Sequence, residues 1–119
     1  IQRGLSARAM LTGFEQVEDA WVARPELKAM IRFGRANLLG QPADKTERFD
    51  VIFCRSVLGD MLPEVRGRVL EGLERRLVDD GCLFLAPDER PETDTVAFRP
   101  VAGRRGLYIK AGAALRRAA

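Results

Sequence analysis

The sequence predicts an α/β fold in which a mostly parallel sheet ends in an antiparallel hairpin. Two observations carry this expectation. Two short apolar runs, Phe49 to Cys54 and Cys82 to Ala86, flank one helix-periodic stretch. Strand, helix, strand is a βαβ unit, here residues 49–86, and such crossovers belong to parallel sheets covered by helices. Two further β-rich stretches, Val96 to Val101 and Leu107 to Lys110, flank Ala-Gly-Arg-Arg-Gly. Short strands around a glycine turn form an antiparallel hairpin, here residues 96–110. A length of 119 residues fits one small domain, and 46% hydrophobic residues are enough for a core.

The elements follow in order. Leu5 to Glu18 has loosely helical spacing, with Leu5, Ala9, Met10 and Phe14 on one face and Gly13 weakening the helix. Trp21-Val22-Ala23 is a short extended segment, stopped by Arg24-Pro25 because the residue before proline disfavours the helical region. Pro25 suits the first turn of a short helix over Glu26 to Ala29. Ile31 and Phe33 alternate with Arg32 and Gly34, which predicts a strand running towards Leu38. Gly40 to Arg48 is a polar loop. Phe49 to Cys54, near-continuously apolar, predicts a buried parallel strand. Pro63 opens the strongest helix, with Val65, Val69, Leu70, Leu73, Leu77 and Val78 on one face and Asp79-Asp80-Gly81 as its end. Pro87 to Asp94 is an acidic loop.

Composition excludes several chemistries. There is no histidine, so Ser-His-Asp and Cys-His nucleophilic schemes and His-containing zinc sites are absent from this chain. The two cysteines, Cys54 and Cys82, sit in apolar runs far apart and predict small buried residues of a reduced, cytoplasmic protein. A nucleophilic Cys54 would need an activating base that the sequence does not place nearby. A net charge of +3 is too small to argue nucleic acid. No apolar stretch approaches the roughly 18 residues of a membrane span, so no membrane insertion is expected. No signal peptide is visible, and an opening on Ile rather than Met predicts a chain that began longer. Charge is uneven: from Thr95 onward there are six bases and no acids, whereas Asp60 to Asp94 holds ten acids and five bases. Arg116 and Arg117 read as a solvated tail; Arg104 and Arg105 stay open between solvated surface and a contact with an acidic partner.

The run Phe49-Asp50-Val51-Ile52-Phe53-Cys54-Arg55 resembles the FDVIFCRN stretch of the CheR-type chemotaxis receptor methyltransferases. Other pieces match in the same order. Arg3-Gly4-Leu5-Ser6 resembles the segment before the family's third sheet strand. Arg32-Phe33 with Asn37-Leu38-Leu39 resembles its RF…NLL strand end. Arg68-Val69-Leu70 falls in its following helix. Asp80-Gly81-Cys82-Leu83-Phe84-Leu85 resembles its GGLLFLG strand. Phe98-Arg99-Pro100-Val101 and Gly106-Leu107-Tyr108 resemble its closing FxPV…GLY hairpin. The resemblance covers nearly the whole chain. It implies the C-terminal half of a Rossmann-like class I methyltransferase fold, 1–119 being part of that domain, and residues 12–24 its small β-subdomain. There Trp21 is either a docking anchor or a cover for the core edge.

Function follows from the same resemblance. It implies transfer of a methyl group from S-adenosylmethionine to glutamate side chains of chemotaxis receptors. S-adenosylhomocysteine is the product. Ligands of open parallel sheets bind outside the carboxyl ends of the strands, so the resemblance places Asn37, Leu38, Arg55 and Ser56 at the cofactor. Without it, Asn37 reads as a turn residue, Leu38 as core and Arg55 as a surface ion pair. At the reaction centre the resemblance implies roles for Arg55 and Asp60.

The departures bear on mechanism. The family's Arg-Asn is Arg55-Ser56, and its Ile-Tyr-Phe is Gly59-Asp60-Met61, so Asp60 stands where a tyrosine lies close to the reactive methyl group. A carboxylate there offers no phenolic donor and repels a glutamate substrate. The family's Gly-His-Ser-Glu is Ala86-Pro87-Asp88-Glu89, which leaves Glu89 retained by chance or displaced. The family's glycine-rich cofactor loop, ribose-binding acid and N-terminal helical domain would precede Ile1. Without the central strand they supply, the chain would expose apolar sheet edges and a helix-free face. The chain is then the retained part of a longer protein, a proteolytic fragment, or a truncated homologue that pairs with a second copy. A homodimer is one expectation from such an edge. The alternative to an enzyme is a catalytically inactive methyltransferase-like module in chemosensory signalling; a bare α/β scaffold is a third reading.

Overall fold

A computed structural model describes residues 4–42 and 44–113. The chain divides into two compact units, one up to Arg35 and one from Ala36.

The first unit opens with α1 (Ala7–Gly13), which leads directly into β1 (Phe14–Val17). Phe14 therefore lies in a strand and not on the expected helix face; Gly13 ends the helix. Ser6 caps α1, its Oγ accepting the Ala9 N–H at 3.1 Å. An N-cap serine contributes about 1 kcal/mol, so Ser6→Ala is expected to speed hydrogen exchange of the Ala9 amide about fivefold. Unchanged exchange would count against the cap. β1 pairs antiparallel with β2 (Ala20–Ala23), Gln16 opposite the half-buried Trp21. Pro25 sits at the start of α2 (Pro25–Ala29), as expected.

Residues 31–37 form no strand. Ile31 is exposed and Phe33 is 92% exposed. The alternating pattern is compatible with a strand, but an extended segment needs a neighbour to receive its backbone N–H and C=O groups. Neither sheet of the described residues includes it as a strand.

The second unit is built on a four-stranded sheet of order β3-β4-β6-β5, comprising β3 (Phe49–Phe53), β4 (Leu77–Phe84), β5 (Phe98–Pro100) and β6 (Leu107–Lys110). β3 and β4 are parallel and joined by α3 (Pro63–Arg76); β6 is antiparallel to both β4 and β5. This is the expected α/β layout, a parallel crossover closed by an antiparallel hairpin. Pro63 at N1 and Glu64 in the first turn suit the start of α3, and Arg75 and Arg76 suit its last turn.

α3 ends two residues earlier than its apolar face predicts. Leu77 is already extended and opens β4. Its neighbour opposite is Phe49, whereas Cys82 faces Val51, so β4 carries three more residues than β3 between these pairs. Asp79-Asp80-Gly81 is this bulge, not a helix stop. A Cβ on Gly81 would lie 2.8 Å from the Asp50 carbonyl oxygen and equally close to the Leu77 side chain; the strands approach too closely there for any other residue.

The core lies between α3 and one face of the sheet. Val69, Leu70 and Leu73 from α3 meet Leu77, Leu83, Leu85, Phe98 and Tyr108, with Cys54 and Leu58 at one end. The opposite face is different. Phe49, Val51 and Phe53 are 39%, 45% and 72% exposed, and the Phe53 ring stacks on Phe84 at 4.9 Å. The expected burial of this strand is thus corrected. β3 is an edge strand, with β4 on one side and no ladder partner on the other among the described residues. The exposure of Phe49, Val51 and Phe53 agrees with the apolar edge expected from the sequence. No helix among the described residues is long and apolar enough to cross a membrane.

Candidate functional site

The carboxyl end of β3 organises the candidate site. The Cys54 N–H donates to the Phe84 carbonyl at 2.9 Å and extends the parallel ladder by one step. The chain then leaves the sheet through Arg55 and Ser56. Ser56 has φ of 59°, a left-handed conformation that costs a residue with a Cβ about 1–2 kcal/mol. Glu89 holds it there. Its Oε1 accepts the Ser56 N–H at 2.9 Å and the Ala86 N–H at 2.8 Å; its Oε2 accepts the Leu58 N–H at 3.1 Å. One carboxylate thereby ties the loop after β3 to the loop after β4. Partial burial pushes the Glu89 pKa up, but hydrogen bonds from Ser56, Ala86, Leu58 and Val57 outweigh it and hold it below the ordinary 4.5.

A second carboxylate closes the other end of the loop. Asp94, 4% exposed, takes a bidentate pair from Arg66 on α3, Nε to Oδ2 at 2.9 Å and Nη2 to Oδ1 at 3.2 Å. Arg66 Nη1 also donates to the Met61 carbonyl at 2.9 Å. Between these clamps lies a cavity of about 220 Å³ with Leu58, Gly59, Glu89, Arg90 and Pro91 in its wall. Of its charged groups, Glu89 is committed to backbone and Arg66 to Asp94 and Met61.

The expected site residues are placed as follows. Arg55, Ser56 and Asp60 are all exposed on the clamped loop, Asp60 in the turn closed by the Met61 N–H on the Leu58 carbonyl at 3.1 Å. Arg55 forms none of the ion pairs of the described residues. Asn37 lies in a turn: its Oδ1 accepts the Leu39 N–H at 3.0 Å, and its carbonyl accepts the Gly40 N–H at 2.9 Å. Leu38 is half-buried against the core and also lines a second cleft, described below. Neither cavity joins Asn37 and Leu38 to Arg55 and Ser56.

Cys54 is buried, and Cys82 is half-buried rather than fully so. Burial first, then the Glu89 charge, pushes the Cys54 thiol up, away from the thiolate form that a nucleophile requires. No group of three or more acids and cysteines among the described residues could hold a metal.

The sequence reading left Glu89 without a role and passed over Arg66 and Asp94. The alignment of Glu89 with the last residue of the family's Gly-His-Ser-Glu was the one available signal. Its partners are backbone groups 31 and 33 residues away, and backbone donors leave no trace in residue types.

Residues 2–107 match the family model described as CheR methyltransferase, SAM binding domain. A chemotaxis protein methyltransferase of Vibrio parahaemolyticus is 32% identical over 109 residues, which is 91% of this chain and 39% of that protein. Chemotaxis protein methyltransferase 1 of Pseudomonas aeruginosa is 32% identical over 88 residues, 73% of this chain and 32% of that protein. The chain thus spans about two fifths or less of the length of these curated relatives. S-adenosylmethionine is the cofactor of the matched domain. With the match running over most of its length and across both clamps of the loop, the chain belongs to the CheR methyltransferase family.

Proposed function

We propose that the protein to which this chain belongs transfers a methyl group from S-adenosylmethionine to glutamate side chains of chemotaxis receptors, in the cytoplasm, and that this chain forms one wall of the cofactor site. The observation that carries this reading is the clamped loop at the carboxyl end of β3 in a chain matched by the family. Such strand ends are where open α/β sheets bind nucleoside-bearing ligands.

The described residues fit one wall of such a site. Arg55 and Ser56 are exposed on a backbone held in a fixed, otherwise unfavourable conformation. The cofactor supplies an electrophilic methyl group on a sulfonium. Attack by an ionised carboxylate needs position more than a base, so the lack of histidine in this chain is no obstacle. Arg55 and Ser56 line the pocket, and Arg55 organises it. Main-chain groups at Asn37 and Leu38 hold the adenine edge. Asp60, facing the anionic substrate in place of a tyrosine, slows or redirects transfer.

Calorimetric titration of this chain with S-adenosylhomocysteine tests the wall directly. Saturable heat is expected, at least tenfold weaker for Arg55→Ala. That variant should melt like the parent, because Arg55 is exposed. Absence of binding by the parent chain would overturn the assignment of this wall.

A further inference from the structure

The second cleft, of about 420 Å³, lies away from the clamped loop, between the 38–48 segment and α3. Its walls are basic. Lys45 and Arg48 line one side, and Arg68, Arg75 and Arg76 line the other, against a single acid, Glu71. Arg48 is partly spent on its own loop, Nη1 donating to the carbonyls of Lys45 at 2.7 Å and Glu47 at 3.0 Å. The side chains of Lys45, Arg68, Arg75 and Arg76 enter none of the ion pairs or side-chain hydrogen bonds of the described residues. Four cations converging on one hollow against a single acid, Glu71, leave a net positive charge and repel one another. A bound anion would relieve that repulsion.

The layout favours one kind of anion. Arg68, Gly72, Arg75 and Arg76 lie along one side of α3, over about 12 Å of helix axis at 1.5 Å per residue. Gly72 keeps the wall low in the middle. The floor includes Leu38, Leu39 and Pro42. A single phosphate calls for a compact cradle of backbone N–H groups or a helix N-terminus; this lining starts more than one turn inside α3. A nucleic acid strand calls for aromatic platforms, and no aromatic residue lines the cleft. An extended peptide places alternate side chains about 7 Å apart on one side. Its carboxylates would meet successive arginines, a pairing that guanidinium geometry favours, while its backbone lies over the apolar floor.

We propose that the cleft between the 38–48 segment and α3 docks a short, extended acidic segment of a partner protein. This role does not rest on methyl transfer, and Leu38 is the one residue the cleft shares with the proposed cofactor wall.

The test is fluorescence anisotropy of a labelled Glu-Ala-Glu-Ala-Glu peptide titrated with this chain at low salt. Saturable binding is expected, with at least tenfold weakening in R68E/R75E and no binding of the Gln-Ala-Gln-Ala-Gln analogue. Screening should weaken it further as salt rises towards 0.3 M. Circular dichroism checks that the variant folds. Should it fail to fold, peptide-induced amide shifts in the parent chain decide instead; they are expected at Leu39, Gly40 and Gly72. No binding of the acidic peptide, equal binding of the glutamine analogue, or shifts elsewhere would overturn the proposal. So would displacement of the peptide by inorganic phosphate or oligo-dT at lower concentration than by unlabelled peptide, since that identifies a small-anion or nucleic-acid site.

Discussion

Glu89→Ala is expected to lower the stability of the unit from Ala36 onward by about 3 kcal/mol, in a pH-dependent way. The carboxylate accepts three backbone N–H groups at 2.8–3.1 Å, and a hydrogen bond to a charged group contributes about 1.5–3 kcal/mol. The total falls short of the sum because Glu89 is half-exposed and water satisfies part of what alanine leaves. Ser56, at φ of 59°, loses what holds it and relaxes. The sign of the pH dependence follows from a folded pKa below 4.5. A depressed pKa means that folding favours the ionised form. The contribution is complete above the unfolded pKa and is lost as pH falls through the folded one. Urea melts of the parent and Glu89→Ala at pH 7 should therefore differ widely, and the difference should shrink progressively as pH falls below 4.5. A gap that does not narrow at all as the solution is acidified would show that Glu89 acts by packing rather than by charge.

Gly67→Ala and Gly72→Ala, five positions apart in α3, are expected to change stability in opposite directions. By helix propensity alone, alanine gains up to about 1 kcal/mol over glycine at each. At Gly67 the new Cβ would lie 2.5 Å from the main-chain carbonyl oxygen of Asp94. Asp94 cannot move aside, because Arg66 grips its carboxylate with two bonds. Overpacking against immobile backbone costs 1–3 kcal/mol or more, so a net loss of about 2 kcal/mol is expected. At Gly72 the nearest atom would be the Leu38 carbonyl oxygen at 3.7 Å, an ordinary contact, and the propensity gain should survive. Urea midpoints of the two variants decide; a shift of the same sign in both would refute the close approach of α3 to Asp94.

Much of the site was hidden from the sequence for one reason. Arg55, Ser56 and Asp60 could be named, because they follow a recognisable strand on a recognisable run. What makes their loop a defined surface is a pair of carboxylates, Glu89 and Asp94, that reach it from beyond β4. Glu89 bonds to main-chain N–H groups, which every residue but proline carries, so no motif announces the pairing. Burial was misjudged in the same way. Phe49, Val51 and Phe53 have the composition of a central strand, yet stand exposed at an edge. Composition reports what a strand would bury, not what arrives to cover it.

The sequence by itself determined the order and kind of the elements in the larger unit. An apolar run, one amphipathic helix and a second apolar run admit a right-handed parallel crossover, and the glycine turn admits a hairpin. Local spacing and turn chemistry suffice for that, since each signal is read within about 15 residues. Tertiary structure alone decided where α3 ends, that Asp79-Asp80-Gly81 is a bulge, that residues 31–37 form no strand, and that two carboxylates clamp the candidate loop. Each of these depends on atoms brought together from distant positions, where hydrogen bonds and close contacts outweigh the weak preferences of any single stretch of chain.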